Sequence, residues 1–439
     1  MEATQESTQP CTDPRRLGRI NSGLQEHDVS DIVCILHPNS PAAHDAVAAT
    51  ATLGPQHILQ KDVLGRDSMD TAALDIALRF SSDVRDLKHG FIFGRHQSRS
   101  DILLTPDDAG SKRLSNVHFR IYLTENGILM FQDTSTNGSL VDNCQLRKMN
   151  KNNNSRMLLN GSVIQVVNGD PGADIEVRFI VRIPSREGHE MQYTENLIRY
   201  LGQVRDLQDG AAQPRSRQSS AQPVLPFATT QPYGTYGMNW SGGDKYNVTG
   251  QIGKGAFAIV YKLATKQHGV VYAAKELDKR RFMKHGILDP KVDNEMRIMR
   301  DLKHPNIVQY IDHHEHDRWI YIIMEYVPFG ELSTYLQNSR GLPENLVQQV
   351  AHQVLHALRY LHKRKITHRD IKPDNILISS LDPLSVKLSD FGLSKVVQEE
   401  ETFLKTFCGT LLYCAPEIYP NYDDYRRGEV RKRRRFGDP

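Results

Sequence analysis

His368-Arg-Asp-Ile-Lys-Pro-Asp-Asn375 sets a carboxylate, a lysine and an amide within eight residues, and its neighbours decide how the second half of the chain is read. Asp390-Phe-Gly392 and Ala415-Pro-Glu417 follow it. Well upstream, Ile252-Gly-Lys-Gly-Ala-Phe-Ala-Ile-Val260 lies between two strand-like runs. A glycine-rich turn of this kind lets backbone N–H groups approach phosphate oxygens with no Cβ in the way. Its third glycine is replaced by Ala258. Tyr272-Ala-Ala-Lys275 then places a lysine on a further strand, and Glu295, in the helical run NEMRIMRDL, is an acid able to pair with it.

The order and spacing of these elements resemble the protein kinase family. The resemblance implies phosphoryl transfer from ATP with Mg²⁺, a reaction that needs positioning and charge neutralisation more than covalent chemistry. It gives Asp370 the role of catalytic base, and Lys372 that of a γ-phosphate contact of the serine/threonine type. Asn375 and Asp390 would hold the metal. ATP would meet Ile252, Gly253, Lys254, Gly255, Ala256, Phe257, Ala258, Val260, Ala273, Lys275 and Glu295. Met324 would be the gatekeeper, and Glu325 and Val327 would lie in the hinge. Thr410 would tie the substrate loop to the catalytic aspartate. Arg369 beside Asp370 is the arrangement that loop phosphorylation neutralises. Among Ser394, Thr402 and Thr406, the last two are the favoured acceptors.

A second pattern lies between short β-type runs: Gly94-Arg95, then Arg113-x-Ser115-x-x-His118, then Asp133-Thr-Ser-Thr-Asn137-Gly138. All of it falls in turn-rich stretches, where a sandwich presents binding loops. Arginine, serine and asparagine on adjacent loops can share a phosphate through charge-assisted hydrogen bonds. The pattern resembles the forkhead-associated (FHA) domain. By that resemblance Arg95 and Ser115 hold a phosphothreonine phosphate, with Arg113 and Thr136 nearby and Asn137 on the peptide backbone. Gly94, His118 and Gly138 would shape the loops. An FHA domain ahead of such a kinase is the arrangement of the checkpoint kinase 2 family, fungal members above all. That implies Ser/Thr substrates, usually with arginine three residues upstream, which Glu331 would meet.

The expected architecture is therefore multidomain: an all-β FHA sandwich followed by an α+β protein kinase fold with an incomplete C-lobe. Residues 1–27 read as a disordered tail, 28–184 as the FHA region (core 88–184), 185–243 as a linker with a possible short helix, and 244–439 as the kinase region. The stretch 37–70 resists assignment. Only 22 residues follow Glu417, so the helices that family members place next are expected to be missing. A phosphothreonine-binding adaptor with an inactive kinase remnant is accordingly the alternative function.

Over 439 residues, 55 basic and 52 acidic side chains leave a net charge of only +3, which argues against a direct nucleic-acid partner. The polar N-terminus is no secretory signal, and no apolar run is long enough to span a membrane. Five cysteines without a Cys-x-x-Cys pair argue against disulfides and a zinc finger. Expected partners are phosphothreonine proteins, Ser/Thr protein substrates and, through Thr-Gln sites at Thr4, Thr8 and Thr230, other copies of the chain. Lys432 to Arg435, with Arg426 and Arg427, has the composition of a nuclear import signal, so the expected location is the nucleus.

Overall fold

Phe119-Arg-Ile-Tyr-Leu123 buries Phe119 and Ile121 on one face, and Phe119 stacks between Phe93 at 4.4 Å and Phe131 at 4.6 Å. Such period-two burial is what a half-covered sheet demands. The computed structural model describes residues 21, 24–60, 74–106, 114–166, 176–209, 236–255, 258–284, 287–288, 299–339, 341–368, 370–390 and 413. They fall in two compact units, 1–276 and 277–439.

The first unit begins with helix α1 (Glu26–Asp31), strand β1 (Ile32–Pro38), helix α2 (Pro41–Leu53), β2 (Ile58–Gln60) and β3 (Leu74–Arg79). β4 (Phe91–Gly94), β5 (Ile102–Leu103), β6 (Phe119–Leu123), β7 (Leu129–Asp133), β8 (Ser139–Val141) and β9 (Cys144–Leu146) follow. β10 (Ser155–Met157), β11 (Val163–Val166) and β12 (Val177–Arg182) complete two sheets. One sheet runs β2-β3-β1-β12-β11-β8-β9 and the other β10-β7-β6-β4-β5. A single buried cluster draws Leu36, Leu78, Ile164 and Phe179 from the first and Phe93, Ile121 and Phe131 from the second. This is the expected sandwich.

Two stretches differ from the sequence reading. Within 37–70, α2 adds Ala43, Ala46 and Val47 to the same core. Ser40 caps it by accepting from the Ala43 amide at 3.2 Å, and Pro41 fits the first turn. Within 185–243, helix α3 (Glu190–Asp209) is 20 residues long rather than short. Its Leu197, Tyr200 and Leu201 pack on Phe80, Leu87 and Leu123 of the sandwich, so tertiary burial lengthens it. Arg186, buried ahead of α3, donates to the carbonyls of Val29, Ile32 and Val33 and lies 4.0 Å over the Tyr193 ring.

Still in the first unit, β13 (Tyr246–Lys254), β14 (Ile259–Thr265) and β15 (Val271–Asp278) form an antiparallel meander, the last strand ending just past the unit boundary. In the second unit β16 (Met283–Lys284) and β17 (Ile287–Leu288) form one hairpin, and β18 (Tyr310–His316) and β19 (Trp319–Glu325) another. Helices α4 (Leu332–Asn338) and α5 (Glu344–Lys363) follow, then the hairpin of β20 (Ile376–Leu381) and β21 (Leu384–Leu388). α5 buries Val350, Val354, Ala357 and Leu361, the stripe expected of an amphipathic helix. Val347 and Leu355 on the same helix stay 49% and 65% exposed. Among the described residues, no helix is long and apolar enough to cross a membrane, and Cys34 and Cys144 are free thiols.

Candidate functional sites

In the sandwich, Gly94 ends β4 against the loop before β6. A Cβ there would lie 2.1 Å from the Asn116 carbonyl oxygen and 2.6 Å from Ser100 Oγ, so only glycine lets the loops meet. The Arg95 amide donates to the Ser115 carbonyl at 3.2 Å, and its Nε to Asn116 Oδ1 at 3.0 Å. Ser115 Oγ accepts from the Thr136 amide at 3.2 Å, linking the second loop to the third. Arg95 and Ser115 are half-buried, whereas Thr136 and Asn137 are exposed at the tip. One end of the sandwich thus gathers Arg95, Ser115, Thr136 and Asn137. Arg113 lies outside the described residues.

His118 and Asp133 hold this end together. His118 is fully buried; its Nδ1 accepts from the Ser115 amide at 3.1 Å, which leaves Nε2 to donate to the Gly138 carbonyl at 3.3 Å. Burial pushes its pKa down to about 4, so the ring is neutral at physiological pH. Asp133 accepts from the Ser135 amide and hydroxyl, from Ser139 Oγ at 2.6 Å and from the Lys148 amide at 3.1 Å. Gly138 adopts φ +90°, and a Cβ there would meet the Leu146 carbonyl at 2.7 Å. Asn116 and the hub role of Asp133 were missed from sequence. Asn116 stood inside the motif, between Ser115 and His118, but nothing local shows that it braces Arg95.

In the meander, β13 and β14 pair Gly253 with Val260, and the Gly255 amide closes the turn on the Ala258 carbonyl at 2.9 Å. Unlike Gly94, neither glycine is crowded by the described residues around it. Neither has a left-handed φ, and among the described residues an added Cβ at either would come no closer than 3.7 Å to a neighbour. A backbone left bare without internal need fits one that receives phosphate oxygens. Ile252, Lys254 and Gly255 are exposed, and Ala258 is half-buried. Lys275 pairs with Val260 across β14–β15, and Ala273, two residues before it, is buried. Ala256, Phe257 and Glu295 lie outside the described residues.

In the second unit the Asp370–Asn375 stretch is braced from below. Asn306 donates to Gln353 Oε1 at 2.8 Å and to the Val386 carbonyl at 2.9 Å, joining the segment before β18 to α5 and β21. Pairing of Ile376 with Leu388 brings Asn375 and Ser389 together, and the Ser389 amide donates to the Asn375 carbonyl at 2.9 Å. Asp390 follows directly, exposed and at φ +58°. Asn375 Nδ2 donates to Asp370 Oδ2 at 2.9 Å and to the Asp370 carbonyl at 2.8 Å. Lys372 Nζ lies 3.1 Å from the same Oδ2. Among the described residues both side-chain contacts fall on one carboxylate oxygen, which leaves Oδ1 able to accept a proton.

His368, buried behind this loop, faces the Ser389 carbonyl through Nε2 at 2.9 Å and accepts from the Asp370 amide at 3.3 Å. Desolvation lowers its pKa as well. Because Asn375 spends its Nδ2 on Asp370, the atom it can offer a cation is Oδ1. Asn375 Oδ1 and the Asp390 carboxylate are oxygens of the kind Mg²⁺ takes, one or two from the protein with the rest of its shell phosphate and water. Among the described residues no cluster of three His, Cys, Asp or Glu forms a metal cage.

Met324 and Glu325 end β19, and Val327 is buried just beyond. The Glu325 carboxylate is engaged by Lys387 at 2.8 Å and its amide donates to the Gln309 carbonyl at 2.8 Å, so what it can offer an adenine is its backbone carbonyl. Glu331, exposed, is the N-cap of α4 and accepts from Ser333 Oγ at 3.1 Å. Arg369, Ser394, Thr402, Thr406 and Thr410 lie outside the described residues, as does the basic run 426–435.

Comparison with known proteins matches this organisation. Residues 246–429 match the protein kinase domain and residues 91–167 the FHA domain. The chain joins an FHA domain to a protein kinase domain. It is 32% identical over 339 residues to serine/threonine-protein kinase RAD53 of Saccharomyces cerevisiae, covering 77% of this chain and 38% of that protein. Identity to serine/threonine-protein kinase cds1 of Schizosaccharomyces pombe is 31% over 346 residues, 76% of this chain and 62% of that protein. A solved structure of Rad53 1-466 in complex with AMP-PNP is 25% identical, covers 80% of this chain and 75% of its own, and gives a TM-score of 0.45.

Proposed function

We propose that the chain is an ATP-dependent serine/threonine protein kinase of the DNA damage or replication checkpoint, acting in the nucleus and recruited to phosphothreonine partners by its FHA domain. The observation that carries the catalytic half is the Asp370 carboxylate, held by Asn375 and Lys372 on one oxygen. Asp370 then accepts the proton of a substrate hydroxyl through Oδ1, and Lys372 is the cation available to the transferred phosphate. Bound Mg²⁺ would neutralise phosphate charge, with Asn375 Oδ1 and Asp390 as its protein ligands. Lys275 would grip the phosphates above the bare Gly253–Gly255 backbone, and Glu331 would read a basic residue upstream of the acceptor. Recruitment rests on the Arg95, Ser115, Thr136 and Asn137 end of the sandwich, and location on the basic run at 432–435.

The test has two arms on the full chain. Radiolabel transfer from Mg-ATP to a mixed Ser/Thr peptide pool is expected for the wild type and absent for Asp370→Asn. Binding of an oriented phosphothreonine peptide library is expected to weaken about 10- to 150-fold in Arg95→Ala, the loss of one charge-assisted contact. Binding without transfer would overturn the kinase assignment and leave the adaptor. Equal binding by wild type and Arg95→Ala would overturn the phosphate site.

A further inference from the structure

The amide edge of β10 is the outermost edge of its sheet. The strand pairs with β7 on one side only, Met157 opposite Met130. An uncovered edge presents unpaired N–H groups and invites foreign strands. Here the turn between β14 and β15 covers it, within the same compact unit. The Met157 amide donates to the Lys266 carbonyl at 2.7 Å, and Ser155 Oγ to the Gln267 carbonyl at 2.7 Å. Ser155 Oγ also lies 3.3 Å from His268 Nδ1, and Asn247 Nδ2 lies 3.4 Å from Met157 Sδ.

Gly269 makes the approach possible. It sits at φ +63°, and a Cβ there would lie 2.7 Å from Met130 Sδ, 3.2 Å from Ile128 and 3.3 Å from Thr124. All three are sandwich residues. The turn is itself closed: the Thr265 amide donates to the Val270 carbonyl, and the Gly269 amide to the Thr265 carbonyl, each at 2.9 Å. It therefore arrives as a shaped body rather than as a loose loop.

We propose that the β10 edge is a dedicated docking surface of the FHA domain for the β14–β15 turn of the kinase domain in the same chain. The sandwich so becomes a fixed support for the strands that carry Gly253, Gly255 and Lys275. The contact also reaches the phosphopeptide loops. The Asp133 amide donates to the Asn154 carbonyl at 2.8 Å, and the next residue, Ser155, grips the turn. Asp133, which holds the loop of Thr136 and Asn137, is thus joined to the kinase turn by a continuous path of hydrogen bonds. A phosphopeptide that stiffens the loop has a physical route to the nucleotide-binding strands.

Hydrogen exchange on the full chain tests the docking independently of any activity or ligand. In the wild type the Met157 amide should exchange at least tenfold more slowly than an open amide. Gly269→Asn tolerates a left-handed φ yet inserts the clashing Cβ. It should accelerate exchange at Met157 and across 265–270 at least tenfold, with Ile164 and Phe179 in the sandwich core unchanged. Adding Met130→Ala should restore protection by opening the space. Should Gly269→Asn loosen the core as well, Ser155→Ala replaces it, with the same expected rise across 265–270. A Met157 amide that exchanges at an unprotected rate in the wild type, or one indifferent to both substitutions, would overturn the proposal.

Discussion

His118 in the FHA domain and His368 in the kinase domain are wired alike, although their folds are unrelated. Each ring is almost without solvent contact, accepts a main-chain amide on Nδ1 and faces the carbonyl of a second loop through Nε2. A neutral imidazole is one of few side chains able to donate and accept along a fixed axis, and so to clamp two loops at a set distance. What differs is the support beneath. The FHA loops leave one two-sheet sandwich, and the Asp133 carboxylate ties the 135–139 stretch to the Lys148 main chain. The Asp370–Asn375 loop lies between a helix and a two-stranded hairpin, and the brace of these two is the neutral amide of Asn306. A buried charge that satisfies several donors is costly to remove, because each donor is then orphaned. An amide leaves fewer unpaired groups behind.

That contrast ranks two substitutions. Asp133→Ala strands the Ser135, Ser139 and Lys148 donors and should cost about 3 kcal/mol or more of local stability. Asn306→Ala loses two bonds and should cost about 2 kcal/mol. Exchange at Phe131 and at Val386 under mild urea reads the two regions separately. A larger loss at Val386 than at Phe131 would reverse the comparison.

Acid probes the two imidazole clamps directly. The folded His118 pKa of about 4 lies below the ordinary value of 6.5. The unfolded chain therefore binds the proton first. Its contribution is complete above about pH 6.5 and is lost as pH falls toward 4, by about 3 kcal/mol in all. His368 is shifted in the same direction by the same desolvation, so the β20–β21 hairpin should also weaken with acid. Unfolding followed by circular dichroism between pH 7 and pH 4 should show the wild type losing more stability than His118→Gln. Parallel curves would mean the ring is solvated or already charged.

How far the sequence carried this picture depends on the range of each interaction. Arg95, Ser115, Asn137 and the Asp370–Asn375 stretch were legible because their chemistry sits within a few residues and in a fixed order. α2 was not, although Ser40-Pro41 is a helix-start signal, because Pro38, Gly54 and Pro55 punctuate the stretch as a loop would be punctuated. Glu325 was assigned to the hinge without its ion pair with Lys387, 62 residues away. Asn306 bridges to Gln353 and Val386, 47 and 80 residues distant, and Ser155 reaches Gln267 across 112. Partners at such separations are set by topology, which no local pattern encodes. The supports of both sites were hidden for this reason, while their chemical tips were plain.

The smallest expected structural effect is the sharpest test of how the catalytic loop is held. Lys372 lies 3.1 Å from Asp370 Oδ2, and both side chains are about one-fifth exposed. A partly solvated pair gains modestly from its Coulomb attraction and loses side-chain entropy. Asn375 already fixes the same carboxylate by a neutral hydrogen bond at 2.9 Å, and His368 fixes the Asp370 backbone. Lys372→Met should therefore change the stability of the hairpin region by less than about 1 kcal/mol. The same substitution should lower kcat far more than it raises KM for ATP, because the cation would act on charge that develops during transfer. A loss of more than about 2 kcal/mol at the Val386 amide would instead make Lys372 a strut of the loop. The parallel with the FHA site, where the clamp is an imidazole and no lysine is needed, would then fail at the catalytic loop.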